Sequence, residues 1–170
     1  MKQEMIQIGS IVNAHGIRGE MRLLPRGFDP QWLTGFKTLY IGREKAPVKP
    51  DASHVHKGFV LLKLPGVDDM NVALTYRDKP VYIRREDAHL APGQFFDEEL
   101  LDMEVCDADS GQLLGRITAV DDYPAHKLYT VKGEREYLIP AVPGVFIQSV
   151  DLAANRMEVH MIKGLATDGN

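Results

Sequence analysis

A catalytic site needs reactive side chains held at short, recognisable spacings, and this sequence supplies few such sets. It contains no GxxxxGK[ST] phosphate loop, no GxGxxG dinucleotide turn and no GxSxG nucleophile elbow. His54-Val55-His56, read as a strand, puts both imidazoles on one face, which is how a metal site can begin. No neighbouring Cys, Asp or Glu pattern completes it, so the two histidines read as solvent-facing strand residues. Asp68-Asp69, Asp97-Glu98-Glu99 and Asp121-Asp122 each offer the paired carboxylates that general acid–base work uses. Adjacent acids at turns more commonly form solvated surface or helix starts. The expectation is a non-enzyme with no cofactor and no metal ion.

Two stretches point instead to binding. Ile8-Gly9-Ser10-Ile11-Val12-Asn13-Ala14-His15-Gly16-Ile17-Arg18-Gly19-Glu20-Met21-Arg22-Leu23 reads as strand, glycine-bearing loop, strand. Gly16 and Gly19 can take positive φ or admit a close backbone approach. His15 and Arg18 on the loop, with Arg22 just beyond, are donors for a phosphate or a carboxylate. The alternative is a tight barrel corner whose polar residues hold the loop together. The GxxG match to a KH-type clamp is two glycines wide and lacks the flanking helices, so it is set aside. The second stretch is Phe95-Phe96-Asp97, followed by Glu98-Glu99. Neighbouring residues on an extended chain point to opposite sides. One phenylalanine can therefore fill a core while the other reaches an interface rimmed by acids. The alternative is that both are buried between two domains.

The elements that would hold these residues are short and rich in Val, Ile, Tyr and Leu, separated by Gly, Pro, Asp and Asn. This is an all-β pattern of small barrels or sandwiches. Strands are expected near 5–12, 19–25, 37–42, 53–57, 58–64 and 79–84, then 101–107, 113–121, 127–132, 136–140 and 156–162. A single helix is expected over 68–76, capped by Asp, with Met70, Ala73 and Leu74 on one face. Charge followed by Pro92-Gly93 marks a break. The expected organisation is a barrel over 1–84, a linker over 85–93, a second barrel over 94–165 and a loose tail over 166–170.

The break coincides with a change in charge. The chain of 170 residues carries a formal net charge of −4. Residues 1–84 hold 13 Lys+Arg against 8 Asp+Glu, a net of +5, whereas residues 85–170 hold 7 against 16, a net of −9. A basic half joined to an acidic half suggests two surfaces with different partners. No apolar run approaches the roughly 20 residues a membrane span requires, and the amino terminus has no secretory h-region. Cys106 is the one cysteine, so no internal disulfide can form, and a reducing cytoplasmic setting is expected.

The residues carry a family likeness. Ile8 through Glu20 resembles the opening signature of the RimM family of bacterial ribosome maturation factors. The resemblance continues through Phe59-Val60-Leu61-Leu62-Lys63-Leu64 and Gly66-Val67-Asp68-Asp69 to Val81-Tyr82-Ile83. In the second half, Phe95-Phe96-Asp97, Gly115-Arg116-Ile117, Leu138-Ile139-Pro140-Ala141-Val142 and Ser149-Val150-Asp151-Leu152 resemble the family's PRC barrel, and Lys163-Gly164-Leu165 its closing segment. The resemblance implies a translation-factor-like barrel followed by a PRC barrel. It also implies a non-catalytic role: a monomer binding the head region of the small ribosomal subunit during maturation and 16S rRNA processing. A basic ribosomal protein of the head is the implied direct partner, and rRNA contact is expected. The family usually carries two tyrosines where this chain has Phe95 and Phe96, a pair tied to subunit binding. Its Gly-Ala-x-Asp turn is replaced around Tyr123-Pro124-Ala125-His126. Two other readings compete: an enzyme acting on rRNA, and a PRC-type protein-binding adaptor outside the ribosome.

Overall fold

The first apolar stretch alternates, and the alternation becomes the inner face of a sheet. In β1 (Met5–His15) Ile6, Ile8 and Ile11 are fully buried, while Gln7 and Ser10 are only partly so. β1 pairs antiparallel with β2 (Glu20–Pro25), where Met21 and Leu23 are buried. A register shift between Ile11 and Asn13 marks a bulge, which bends β1 and sharpens its twist. α1 (Pro30–Leu33), β3 (Leu39–Ile41), β4 (Ala46–Val48), β5 (Ala52–His56), β6 (Phe59–Lys63), α2 (Met70–Leu74) and β7 (Pro80–Arg84) follow. The seven strands form one antiparallel sheet in the order β4-β3-β7-β1-β2-β6-β5.

This computed structural model describes residues 3–161. It divides into two compact units, Glu4–His89 and the chain from Leu90 onward. In the second unit α3 (Asp97–Leu100), β8 (Glu104–Asp107), β9 (Leu113–Asp122), β10 (Lys127–Lys132), β11 (Glu136–Pro140), β12 (Ile147–Asp151) and β13 (Arg156–Val159) build a six-stranded sheet. Its order is β11-β10-β9-β8-β13-β12, antiparallel except where β13 runs parallel to β8. Met103, Val105, Val131, Ile139, Met157 and Val159 are fully buried at its centre. Cys106 lies buried on β8. The fold is mainly β, with two barrel-like units, as the strand pattern implied.

Several elements differ from the sequence reading. α1 was not expected, although Asp29-Pro30 carries its signal: Asp29 accepts from the Gln31 N–H, and Pro30 suits the first turn. β4 was missed because it is a three-residue edge strand containing Pro47. β12 was missed because three of its five residues are exposed and polar. The helix expected over 68–76 is shorter, Met70–Leu74, with Asp69 capping the Val72 N–H at 2.9 Å. Its expected apolar face is corrected: Ala73 is buried, whereas Met70 and Leu74 are largely exposed. The strand expected at 101–107 starts only at Glu104, because Leu100 ends α3 and Asp102 has a φ of 65°. The last strand ends at Val159, short of the expected 162. The tail over 166–170 and the Lys163-Gly164-Leu165 segment lie outside the described residues.

Between the two sheets, the stretch read as a linker holds a 3₁₀ turn at Arg85–Ala88 and a hydrogen-bonded turn at Ala91-Pro92-Gly93-Gln94. Gly93 has a φ of 84° after proline, and the Gln94 N–H reaches the Ala91 carbonyl at 3.0 Å, a type II turn. Among the described residues no helix is long and apolar enough to cross a membrane.

Candidate functional site

In the first unit the glycine-bearing loop is the β1–β2 connection, with His15 paired across the ladder to Glu20. Gly19 is fixed by close approach: a Cβ there would sit 2.7 Å from the Val67 carbonyl carbon and 3.0 Å from the Asp68 nitrogen, at a φ of +94°. Gly16, at φ +70°, faces open space. The two glycines therefore do different work, one seating the loop on the 64–68 turn and the other shaping its tip. That turn is tied down by Lys63, whose ammonium donates to the Val67 carbonyl and pairs with Asp68 at 3.0 Å. Arg18 is exposed at the loop tip, beside an Ile17 that is 76% exposed.

His15 and Arg22 come together: the Arg22 Nε donates to the His15 Nδ1 at 3.3 Å. Among the described residues Arg18 takes part in no such contact. Two residues outside the expected set join the pair. His56 on β5 packs its ring 5.3 Å from that of His15, and the Arg22 guanidinium lies over the Phe59 ring at 5.8 Å. The His54-Val55-His56 strand brings half-buried His56 against His15, while His54 is exposed. Among the described residues no group of three metal-ligating side chains gathers.

In the second unit Phe95 and Phe96 lie on extended chain leading into α3, and Phe96 is the residue that precedes its first turn. Phe95 is half-buried against the core of this sheet. Phe96 is only 5% exposed, so the aromatic surface open to a partner here belongs to Phe95. Asp97, in the first turn of α3, accepts from the Lys127 ammonium, which also meets Asp122 at 3.3 Å. Asp122 and Lys127 face each other across the β9–β10 ladder. The hairpin between them, Tyr123-Pro124-Ala125-His126, is closed by a 3.1 Å bond from the Tyr123 N–H to the His126 carbonyl. Tyr123 is 55% exposed. Burial disfavours the Lys127 charge, but Asp97 and Asp122 outweigh it and hold the ammonium above its ordinary range. Burial pushes the Tyr129 phenol up, with Lys127 opposing and Asp97 adding to the shift. One cation against Asp97 and Asp122 leaves a net negative charge there, with the exposed Tyr123 next to Asp122 in the chain. Lys127 and Asp122 were not singled out as binding residues, whereas the turn at Tyr123-Pro124-Ala125-His126 was expected to contact the partner. The signal available was the acid pair next to an aromatic in a short hairpin, Asp121-Asp122-Tyr123.

Comparison with known proteins covers both units. The family model of the RimM N-terminal domain matches residues 6–88, and that of the RimM PRC barrel domain matches residues 97–165. The ribosome maturation factor RimM of Acetivibrio thermocellus is 36% identical, over 97% of this chain and 98% of its own length. That of Symbiobacterium thermophilum is 34% identical over 98% of this chain and 97% of its own. Among solved structures, the 16S ribosomal RNA processing protein RimM of Pseudomonas aeruginosa aligns with 93% of this chain and 98% of its own at 28% identity, with a TM-score of 0.47.

Proposed function

The chain belongs to the RimM family of ribosome maturation factors, and from that premise we propose that it aids small-subunit maturation by binding alone, without catalysis. It acts in the cytoplasm as a monomer, on the head region of the small subunit. The 94–165 segment meets a basic ribosomal protein of the head through Phe95, Asp97 and the neighbouring acids. The 1–84 segment faces rRNA, through the loop and strand residues His15, Gly16, Arg18, Gly19 and Arg22.

The observation that carries this reading is the net-negative face around Lys127. There Asp97 and Asp122 share one ammonium, and Tyr123 stands exposed next to Asp122 in the chain. Complementary charge steers encounter and fixes register, and an aromatic next to a polar rim suits a protein contact. The opposite balance in residues 1–84, a net of +5, favours phosphate. Co-sedimentation of the full chain with purified small subunits tests it. Phe95→Ala and Asp122→Asn should each weaken binding while leaving unfolding cooperative. Undiminished co-sedimentation of both variants would contradict the assignment of this face.

A further inference from the structure

We propose that His15, Arg22 and His56 form a subsite for one backbone phosphate of RNA, with Phe59 as the platform that orients the guanidinium. This rests on the reading of the 1–84 segment as the rRNA-facing half, and deepens it to named atoms.

The four residues occupy one diagonal of four neighbouring strands. β1, β2, β6 and β5 are adjacent in the sheet. His15 faces Glu20, Arg22 faces Leu61 on β6, Leu61 faces His54 on β5, and Phe59 faces His56. The alternation of buried Met21 and Leu23 on β2 puts Arg22 on the opposite face from the core, and the register then puts Leu61, Phe59, His54 and His56 on that same face. Flat strands would leave His15 and His56 at opposite corners. Right-handed twist closes one diagonal of a sheet face, and here the two imidazoles meet at 5.3 Å.

The donors along this diagonal outnumber the acceptors. Because the His15 Nδ1 accepts from the Arg22 Nε, it carries no proton, and the His15 Nε2 is left as an N–H donor. Arg22 is half-buried, yet among the described residues it has no carboxylate partner, and neither of its terminal nitrogens has an acceptor. By contrast Arg84, Arg116 and Arg156 each pair with an acid. A guanidinium held from one side by a ring and from another by an imidazole keeps its planar fork free for an anion with paired oxygens. Glu20, across the ladder from His15, is the one acid among the described residues in register with the diagonal. Lys63 on the same strand as Phe59 is occupied by Asp68. Exposed Arg18, in the β1–β2 loop, and exposed Lys57, which follows β5, add positive charge beyond the diagonal, as a phosphate track requires and a single carboxylate does not.

The test uses the full chain titrated into deproteinised 16S rRNA across a salt series. Each neutralised phosphate contributes close to one unit to the slope of log affinity against log salt. Arg22→Gln should flatten that slope by about one unit, so that between about 50 and 200 mM salt it loses about threefold less affinity than the wild type. Arg22→Lys, which keeps charge but not the fork, should retain the slope and bind more weakly. The ring proton resonances of His15 and His56 should move on addition of rRNA, a change that a purely structural cluster would not give. An unchanged slope in Arg22→Gln, or ring resonances unmoved by rRNA, overturns the subsite. Loss of binding to isolated ribosomal proteins with rRNA affinity intact would make the ligand a protein carboxylate and overturn it equally. If the wild type co-sediments with small subunits under these failures, the subsite alone falls. If it does not co-sediment, the assembly reading beneath falls too.

Discussion

Alanine at Gly19 and alanine at Gly16 should differ sharply, although the two glycines lie three residues apart in one loop and both have positive φ. At Gly16, φ is +70° and the space a Cβ would fill is empty. The cost is then conformational: a left-handed alanine is about 1–2 kcal/mol unfavourable, offset by about 0.4–1 kcal/mol from a stiffer unfolded chain. The net is about 1 kcal/mol. At Gly19 the same cost applies, and the added Cβ would also lie 2.7 Å from the Val67 carbonyl carbon and 3.0 Å from the Asp68 nitrogen. Both obstacles are backbone, and Val67 is buried, so relief requires the 64–68 turn to move. Moving it strains the bond from Lys63 to the Val67 carbonyl. Overpacking of this kind costs about 1–3 kcal/mol, which brings the total to about 3 kcal/mol. Trp32, the sole tryptophan, lies in the first unit and reports its unfolding in urea. With a slope of about 1–3 kcal/mol per molar, Gly19→Ala should lower the urea midpoint by about 0.7–2 M more than Gly16→Ala does. Equal midpoints for the two variants would refute the close-approach argument.

Other outcomes follow from the second unit. Phe96→Ala should cost about 3–5 kcal/mol, as truncation of a buried phenylalanine does, whereas half-buried Phe95→Ala should cost clearly less; chemical denaturation followed by calorimetry orders the pair, and the reverse order would refute the placement. Lys127 has a folded-state pKa above 10.5, so its stabilising contribution is complete below that value and is lost as pH rises through the raised one. Tyr129, raised from 10.0, acts with the same sign. The thermal midpoint should therefore fall steeply above about pH 10, and less steeply in Lys127→Met; identical alkaline profiles for the two proteins would contradict the linkage.

What the sequence made legible was local. Short apolar stretches bounded by turn residues locate β1, β2, β6 and β7, and the Gly16 and Gly19 loop reads as a strand connection, because turn chemistry and apolar clustering are written in neighbouring residues. Burial between distant segments was not. Nothing in Phe95-Phe96 says which ring is covered, and the answer depends on where the chain turns into α3. His56 meets His15 because three ladders and a twist place them together, 41 positions apart, and no spacing rule encodes that. Lys127 likewise joins Asp97 and Asp122 only once β9 and β10 are paired. The charge division was visible in the sequence, but its local form, one ammonium between Asp97 and Asp122, depends on the β9–β10 pairing.

The most direct test is a density map of the full chain bound to immature small subunits. The account predicts the 90–161 unit against a basic protein of the subunit head, with Asp97, Asp122 and Tyr123 at the contact, and the 4–89 unit against rRNA, with Arg22 at a phosphate. Density with the two units exchanged, or with the acidic face turned to solvent, would contradict it.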